Sequence, residues 1–217
     1  MERYFVLGDF NTWYDWRLIL TAKDVTPPEP KTNYIEIDGM DGTLDLTEAL
    51  AGRVTYKDRK ITASFWTSDG SRKERERRIR DIISHLHGRK VKIIEPDDPA
   101  HYFYGRVKIS GITNKLAYSE FSIEATCEPW RYTLEESVRR VEVDGDIVEA
   151  VISNNGVKSL LPVITVEGSV SLVHKGVITE LTAGTYKVSD IRLERGSNVI
   201  TVSGHGAATF TYREADL

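Results

Sequence analysis

Apolar and polar residues alternate along most of this chain with a period of two. In Phe121-Ser122-Ile123-Glu124-Ala125 the odd positions are apolar and the even ones polar, the pattern of a strand with one wet face. Alternating or β-rich composition recurs at residues 16–20, 35–37, 60–67, 91–94, 102–109 and 121–127, and each stretch predicts a strand. One segment follows the helical period instead. Ile79, Ile82, Ile83 and Leu86 form a single stripe at helical spacing. Ser71-Arg72-Lys73-Glu74 precedes them as a capping box, and Gly88 stands where helices stop. One helix lying across strands gives an α+β reading for this half.

Breakers divide the pattern. Thr26-Pro27-Pro28-Glu29-Pro30 is excluded from a central strand because proline lacks the ladder donor, so residues 23–32 read as an exposed loop or arm. In Tyr34-Ile35-Glu36-Ile37-Asp38-Gly39-Met40-Asp41-Gly42-Thr43-Leu44-Asp45-Leu46 a strand enters two Asp-Gly turns and returns. After Trp130-Arg131-Tyr132 the chain turns polar, with Glu135-Glu136 and Asp144-Gly145-Asp146. The expected domains are therefore 1–132 and 147–217, joined by a linker at 133–146. The second holds short strands at 148–152, 163–167, 170–174, 177–181, 185–189, 198–203 and 208–212. Asn154-Asn155-Gly156, Lys175-Gly176, Ala183-Gly184, Arg195-Gly196 and Gly204-His205-Gly206 separate them. Many short strands with frequent turns predict a small β-sandwich.

Charge and composition narrow the function classes. The 217 residues carry a formal net charge of -4, which excludes a uniformly basic nucleic-acid binder. Residues 1–140 hold 23 basic and 23 acidic side chains, and the remainder 6 and 10, so the acidic excess lies in the last third. The single cysteine, Cys127, excludes an internal disulfide framework or a multi-cysteine metal site and is in keeping with a reducing compartment during assembly. Residues 1–8 carry Glu2 and Arg3 and no long apolar run, so no signal peptide is read there. No uncharged apolar stretch reaches the roughly 20 residues that span a bilayer.

Candidate chemistry resolves mostly into structural readings. Asp38, Asp41 and Asp45 lack the ligand spacing of a calcium loop and read as turn residues. Asp97-Asp98 before Pro99 starts a turn rather than forming an acid–base pair, whose members face one substrate from separate positions. His85, His87, His101, His174 and His205 show no zinc spacing, and His85 or His87 suits the negative end of the helix. Gly204-His205-Gly206 has no following helix to bind phosphate, and Cys127 reads as a small core residue. The basic run Arg72, Lys73, Arg75, Arg77, Arg78 and Arg80 is the nucleic-acid candidate, weighed against a solvated face or one packed on an acidic neighbour. Trp13, Tyr14 and Trp16 suit an interface or a core. No catalytic, cofactor-binding or metal residues are assigned.

The order of these features resembles the distal tail proteins of long-tailed bacteriophages. The resemblance is carried by Ile37-Asp38-Gly39-Met40-Asp41-Gly42-Thr43-Leu44-Asp45-Leu46-Thr47 and Tyr56-Lys57-Asp58-Arg59-Lys60-Ile61. It continues through Ile82-Ile83-Ser84-His85-Leu86-His87-Gly88-Arg89-Lys90-Val91, Asp97-Asp98-Pro99-Ala100-His101-Tyr102 and Cys127-Glu128-Pro129-Trp130-Arg131-Tyr132. Residues 153–156 with 161–164, and residues 193–200, are similar to the galectin-like β-sandwich that many such proteins carry. The resemblance implies an N-terminal ring-forming β-domain and a homohexameric hub at the distal end of the tail tube, in contact with the tail tube protein and with tail-associated or baseplate proteins. It implies a virion component of a phage or prophage, assembled in the host bacterial cytoplasm. It implies no enzyme activity, no cofactor, no membrane contact, and no nucleic-acid contact beyond DNA passing through the ring channel. Two rival readings are a carbohydrate-binding module acting through the C-terminal sandwich and a cell-wall hydrolase.

Overall fold

The computed structural model describes residues 3–217. Met1 and Glu2, which begin the stretch read above for a signal peptide, lie outside them. The chain is mainly β with one helix and divides into two compact units, the first ending at Arg131 and the second running from Tyr132 to Asp216.

The first unit carries β1 (Val6–Leu7), β2 (Phe10–Asn11), β3 (Ile19–Val25), β4 (Tyr34–Glu36), β5 (Thr43–Asp45), β6 (Arg59–Thr67), α1 (Arg72–Leu86), β7 (Lys90–Ile94), β8 (His101–Asn114) and all but the last two residues of β9 (Ser119–Thr133). Its main sheet has the order β2-β1-β7-β8-β9-β6-β3, while β4 and β5 form a separate hairpin. Alternation decides which face is covered. Ile61, Ala63 and Phe65 of β6 and Phe121, Ile123, Ala125 and Cys127 of β9 are buried, and Ile79, Ile82 and Leu86 of α1 pack into the same core. Ile83 is only partly buried at its edge.

The capping box of α1 is present in full. The Ser71 hydroxyl accepts from the Glu74 N–H, and the Glu74 carboxylate accepts from the Ser71 N–H at 2.6 Å. At the other end the Gly88 N–H donates to Val107 O at 2.8 Å, tying the helix exit to β8. Gly105 explains how β8 and β9 approach: a Cβ there would stand 2.3 Å from Cys127 Sγ. Cys127 itself is fully buried, and burial pushes its thiol up to about 12.

Two expectations for this unit change, and two strands are unforeseen. The strand expected at 16–20 begins at Ile19, because Trp16 lies in a turn and Arg17 adopts φ 52 after it. The same strand continues to Val25, paired opposite Ile61, so the arm expected from residue 23 starts after β3 ends. The two-residue strands β1 and β2 are too short to leave a period in the sequence.

The second unit carries β10 (Ser137–Asn154), β11 (Val163–His174), β12 (Val177–Tyr186) and β13 (Gly196–Tyr212) in one antiparallel sheet of order β10-β13-β11-β12. Its core holds Val141, Ile152, Ile164, Leu172, Val202 and Phe210. The expected seven short strands are four long ones. Asp144-Gly145-Asp146, expected inside the linker at 133–146, is a bulge within β10, whose pairing with β13 shifts between Asp144 and Ile147. Gly204-His205-Gly206, expected as a turn, lies inside β13. Gly206 faces Gly168 of β11, and a Cβ on Gly206 would stand 1.9 Å from Glu167 O. These glycines let two backbones approach where the strands bend, so a single curled sheet closes over its own apolar face. The Lys175-Gly176 turn holds as expected, as a two-residue hairpin loop with φ 50 and 81.

Candidate functional site

The segment between β3 and β6, residues 26–58, leaves the main sheet as an arm. Its stem is laced by backbone bonds: Thr26 N–H to Lys60 O at 3.1 Å, Lys57 N–H to Glu29 O and Lys31 N–H to Thr55 O, both at 2.8 Å. Pro30 bridges to Tyr56, and the exposed Lys57–Glu29 ion pair spans 2.9 Å. The prolines hold the outgoing strand extended, and they sit outside the main sheet, where no ladder donor is needed. Farther out, Leu46 N–H donates to Asn33 O at 2.8 Å and closes the base of the β4–β5 hairpin.

At the hairpin tip the Met40 N–H donates to Ile37 O at 3.0 Å. Gly39 and Gly42 adopt φ 85 and 81, as the two Asp-Gly turns require. Asp45 accepts the Thr47 N–H at 2.9 Å, and the Thr47 hydroxyl and N–H together hold its carboxyl below the usual range.

The hairpin is amphipathic and bare. Ile35 pairs with Leu44 and so shares a face with it. Tyr34, Glu36, Thr43 and Asp45 take the other face, and Asp38 opens the turn that follows. Every residue of β4 and β5 is exposed, and Tyr34, Ile35, Ile37, Met40, Leu44 and Leu50 are among the exposed large hydrophobic side chains. Leu50 is 99% exposed. A two-stranded sheet has two open edges, each a row of unpaired backbone donors and acceptors. Chemically, the arm offers apolar surface, carboxylates and strand edges, a set suited to joining another protein surface rather than to catalysis.

The other sequence candidates are scattered through the structure. Asp97 meets Arg3 at 2.6 Å and Lys23 at 2.8 Å, whereas Asp98 meets Arg131 at 3.0 Å and His101 at 2.7 Å. The two carboxylates are thus spent on different partners. Hydrogen bonds from Lys23 and Arg3 hold the Asp97 carboxyl below its ordinary range. His85 faces Asp81, His87 accepts from the Ile109 N–H, and His174 is buried between Val199 O and Arg192 O. His205 contacts Asp144 at 3.0 Å on the surface. Among the described residues no three of His, Cys, Asp and Glu gather as a metal site, and no helix is long and apolar enough to cross a membrane.

The aromatic cluster divides. Trp16 is buried and stacks on Phe10 at 4.9 Å, Trp13 lies under the Arg17 guanidinium, and Tyr14 is exposed with its ring edge on Tyr4.

The basic run of α1 also divides. Arg78 bonds Thr67 and Asp69, and Arg72 pairs with Glu76. Lys73, Arg77 and Arg80 are exposed. Arg75 is buried, which its place in a charged run did not suggest. Its Nη1 donates to Gly70 O at 2.6 Å, and its Nη2 to Lys115 O at 3.1 Å and Leu116 O at 2.8 Å. It thereby fastens the β8–β9 turn to the start of α1. The one sequence cue is its position, four residues before Ile79 on the apolar stripe.

The architecture has a counterpart among solved phage tail proteins. The crystal structure of SPP1 Dit (gp 19.1), described as a paradigm of the hub adsorption apparatus in phages infecting Gram-positive hosts, matches with a TM-score of 0.73 over 97% of this chain and 98% of that one. At 14% identity the likeness lies in the fold. No family model and no curated protein matches the chain.

Proposed function

We propose that this protein is a non-enzymatic structural component of a phage or prophage tail, forming the ring-shaped hub that joins the distal end of the tail tube to the baseplate or adsorption apparatus. The observation that carries the reading is the arm at residues 26–58, whose β4–β5 hairpin is bare, on a fold shared with a tail hub protein. An arm that exposes apolar side chains and open strand edges is stable in water mainly when another surface covers it. Because arm and receiving surface are different parts of the chain, copies can pass the contact on head to tail. Such a contact closes into a ring when its rotation divides a full turn. Six copies is the expected number, with the tail tube protein and tail-associated proteins as partners on the ring's two sides, in the virion tail.

Electron microscopy of the purified protein tests this. Rings with a central hole are expected. Isolated particles at every concentration and low ionic strength would contradict the reading.

A further inference from the structure

The arm needs a receiving surface, and charge points to one. Residues 33–48 hold Glu36, Asp38, Asp41, Asp45 and Glu48 and no lysine or arginine. Among the described residues, none of these five carboxylates has an ion-pair partner in its own chain, and Asp45 alone is engaged, by Thr47. On α1, Lys73, Arg77 and Arg80 are likewise exposed and without an ion pair. Their spacing of i, i+4 and i+7 lines them up on one stripe about 10 Å long. The acidic groups nearest that stripe are already engaged: Glu74 in the capping box, Glu76 with Arg72, Asp81 with His85, and Asp15 with the Asn11 N–H.

Resting on the reading of the chain as a self-assembling hub, we propose that the stripe of Lys73, Arg77 and Arg80 receives the acidic face of the β4–β5 hairpin from a second copy of this chain. Glu36 and Asp45 are diagonal cross-strand neighbours on that face, about 7–8 Å apart, a separation that two cations one helical turn apart can match. Tyr34 on the same face lies within reach of a guanidinium in that arrangement and adds a cation–π contact. The pairing is between exposed groups, so it steers and orients the contact and weakens with salt. Duplex DNA is the weaker candidate for the stripe, because the charge of residues 1–140 balances and Glu74, Glu76 and Asp81 interrupt the run.

A charge-swap experiment on the full chain tests this, with mass read by light scattering at low salt. One variant reverses the helix (Lys73→Glu, Arg77→Glu, Arg80→Glu), a second reverses the arm (Glu36→Lys, Asp38→Lys, Asp45→Lys), and a third replaces residues 33–46 with a Gly-Ser linker. Circular dichroism confirms that each is folded. Each reversed variant alone is expected to lose the oligomer. Mixed in equal amounts the two reversed variants are expected to recover it, because every acidic face again meets a basic one. Loss that mixing does not recover would overturn the proposal. An oligomer that survives helix reversal but not arm replacement would overturn this contact and leave the arm reading intact. One that survives both, or a wild type that stays monomeric, would overturn both. Helix reversal that spares the oligomer and abolishes retention of duplex DNA would reassign the stripe to phosphate.

Discussion

Replacing Arg75 with methionine removes the guanidinium while keeping an unbranched stem in the same space. The wild-type side chain is 2% exposed and donates to Gly70 O, Leu116 O and Lys115 O at 2.6, 2.8 and 3.1 Å, with a longer contact of 3.4 Å to Ser119 Oγ. A hydrogen bond involving a charged group contributes about 1.5–3 kcal/mol. The two short bonds are counted at the lower end, because the acceptors are part-buried and water takes up some of the loss, and because burying a guanidinium carries its own penalty. Arg75→Met is therefore expected to destabilise the first unit by about 3 kcal/mol, a lowering of the melting temperature by roughly 10 °C. Arg75→Lys keeps the charge without the planar fork and should fall between the two. Arg89→Ala, at an exposed position outside the Lys73, Arg77 and Arg80 stripe, should stay within about 0.5 kcal/mol. Thermal and urea unfolding followed by circular dichroism measures all three. An Arg75→Met protein that melts with the Arg89→Ala control would refute the argument, by showing that water serves the three carbonyls as well as the arginine does.

Gly206→Ala brings a Cβ to 1.9 Å from a backbone oxygen at φ 144, so the second unit should lose several kcal/mol, roughly, or fail to fold, while Gly176→Ala, with open space around it, should remain folded. Limited proteolysis should cut first within residues 33–53 of the monomeric arm and spare 133–146, most of which is strand; first cuts at 133–146 would contradict this. The Asp97 carboxyl is depressed by Lys23 and Arg3, so its ionised form favours the folded state above about pH 4, and that contribution is lost as pH falls through the depressed value. Comparing Asp97→Asn with wild type across that range should show a small gap that closes in acid; a gap independent of pH would count against the ion pairs.

Sequence patterning revealed those features whose physics is local. The α1 capping box and apolar stripe, the Asp-Gly turns at Gly39 and Gly42, and the alternation in β6 and β9 depend on neighbours within a few residues, and all stand in the structure. What stayed hidden depends on partners far along the chain. Arg75 finds two of its carbonyl acceptors about 40 residues away, and the Gly168–Gly206 approach joins two strands at a bend. Glycines read as turns mark close approach instead, and so the second unit was divided into more strands than it has. The acidic stretch at 133–146 looked like a linker because much of it lies on exposed strand faces, where polar composition is shared with loops. For the arm, the prolines marked its start, and the apolar residues of 34–46 suggested an ordinary strand. Nothing in their pattern distinguished burial within this chain from cover by a neighbour.

The central claim is that the arm joins copies of this chain into a closed assembly. Light scattering of the wild type beside the chain with residues 33–46 replaced by a Gly-Ser linker tests it most directly. The wild type is expected to show one discrete multiple of the 24.5 kDa chain mass, and the arm-replaced protein a folded monomer. Equal masses for the two proteins, whether both monomeric or both assembled, would contradict the account.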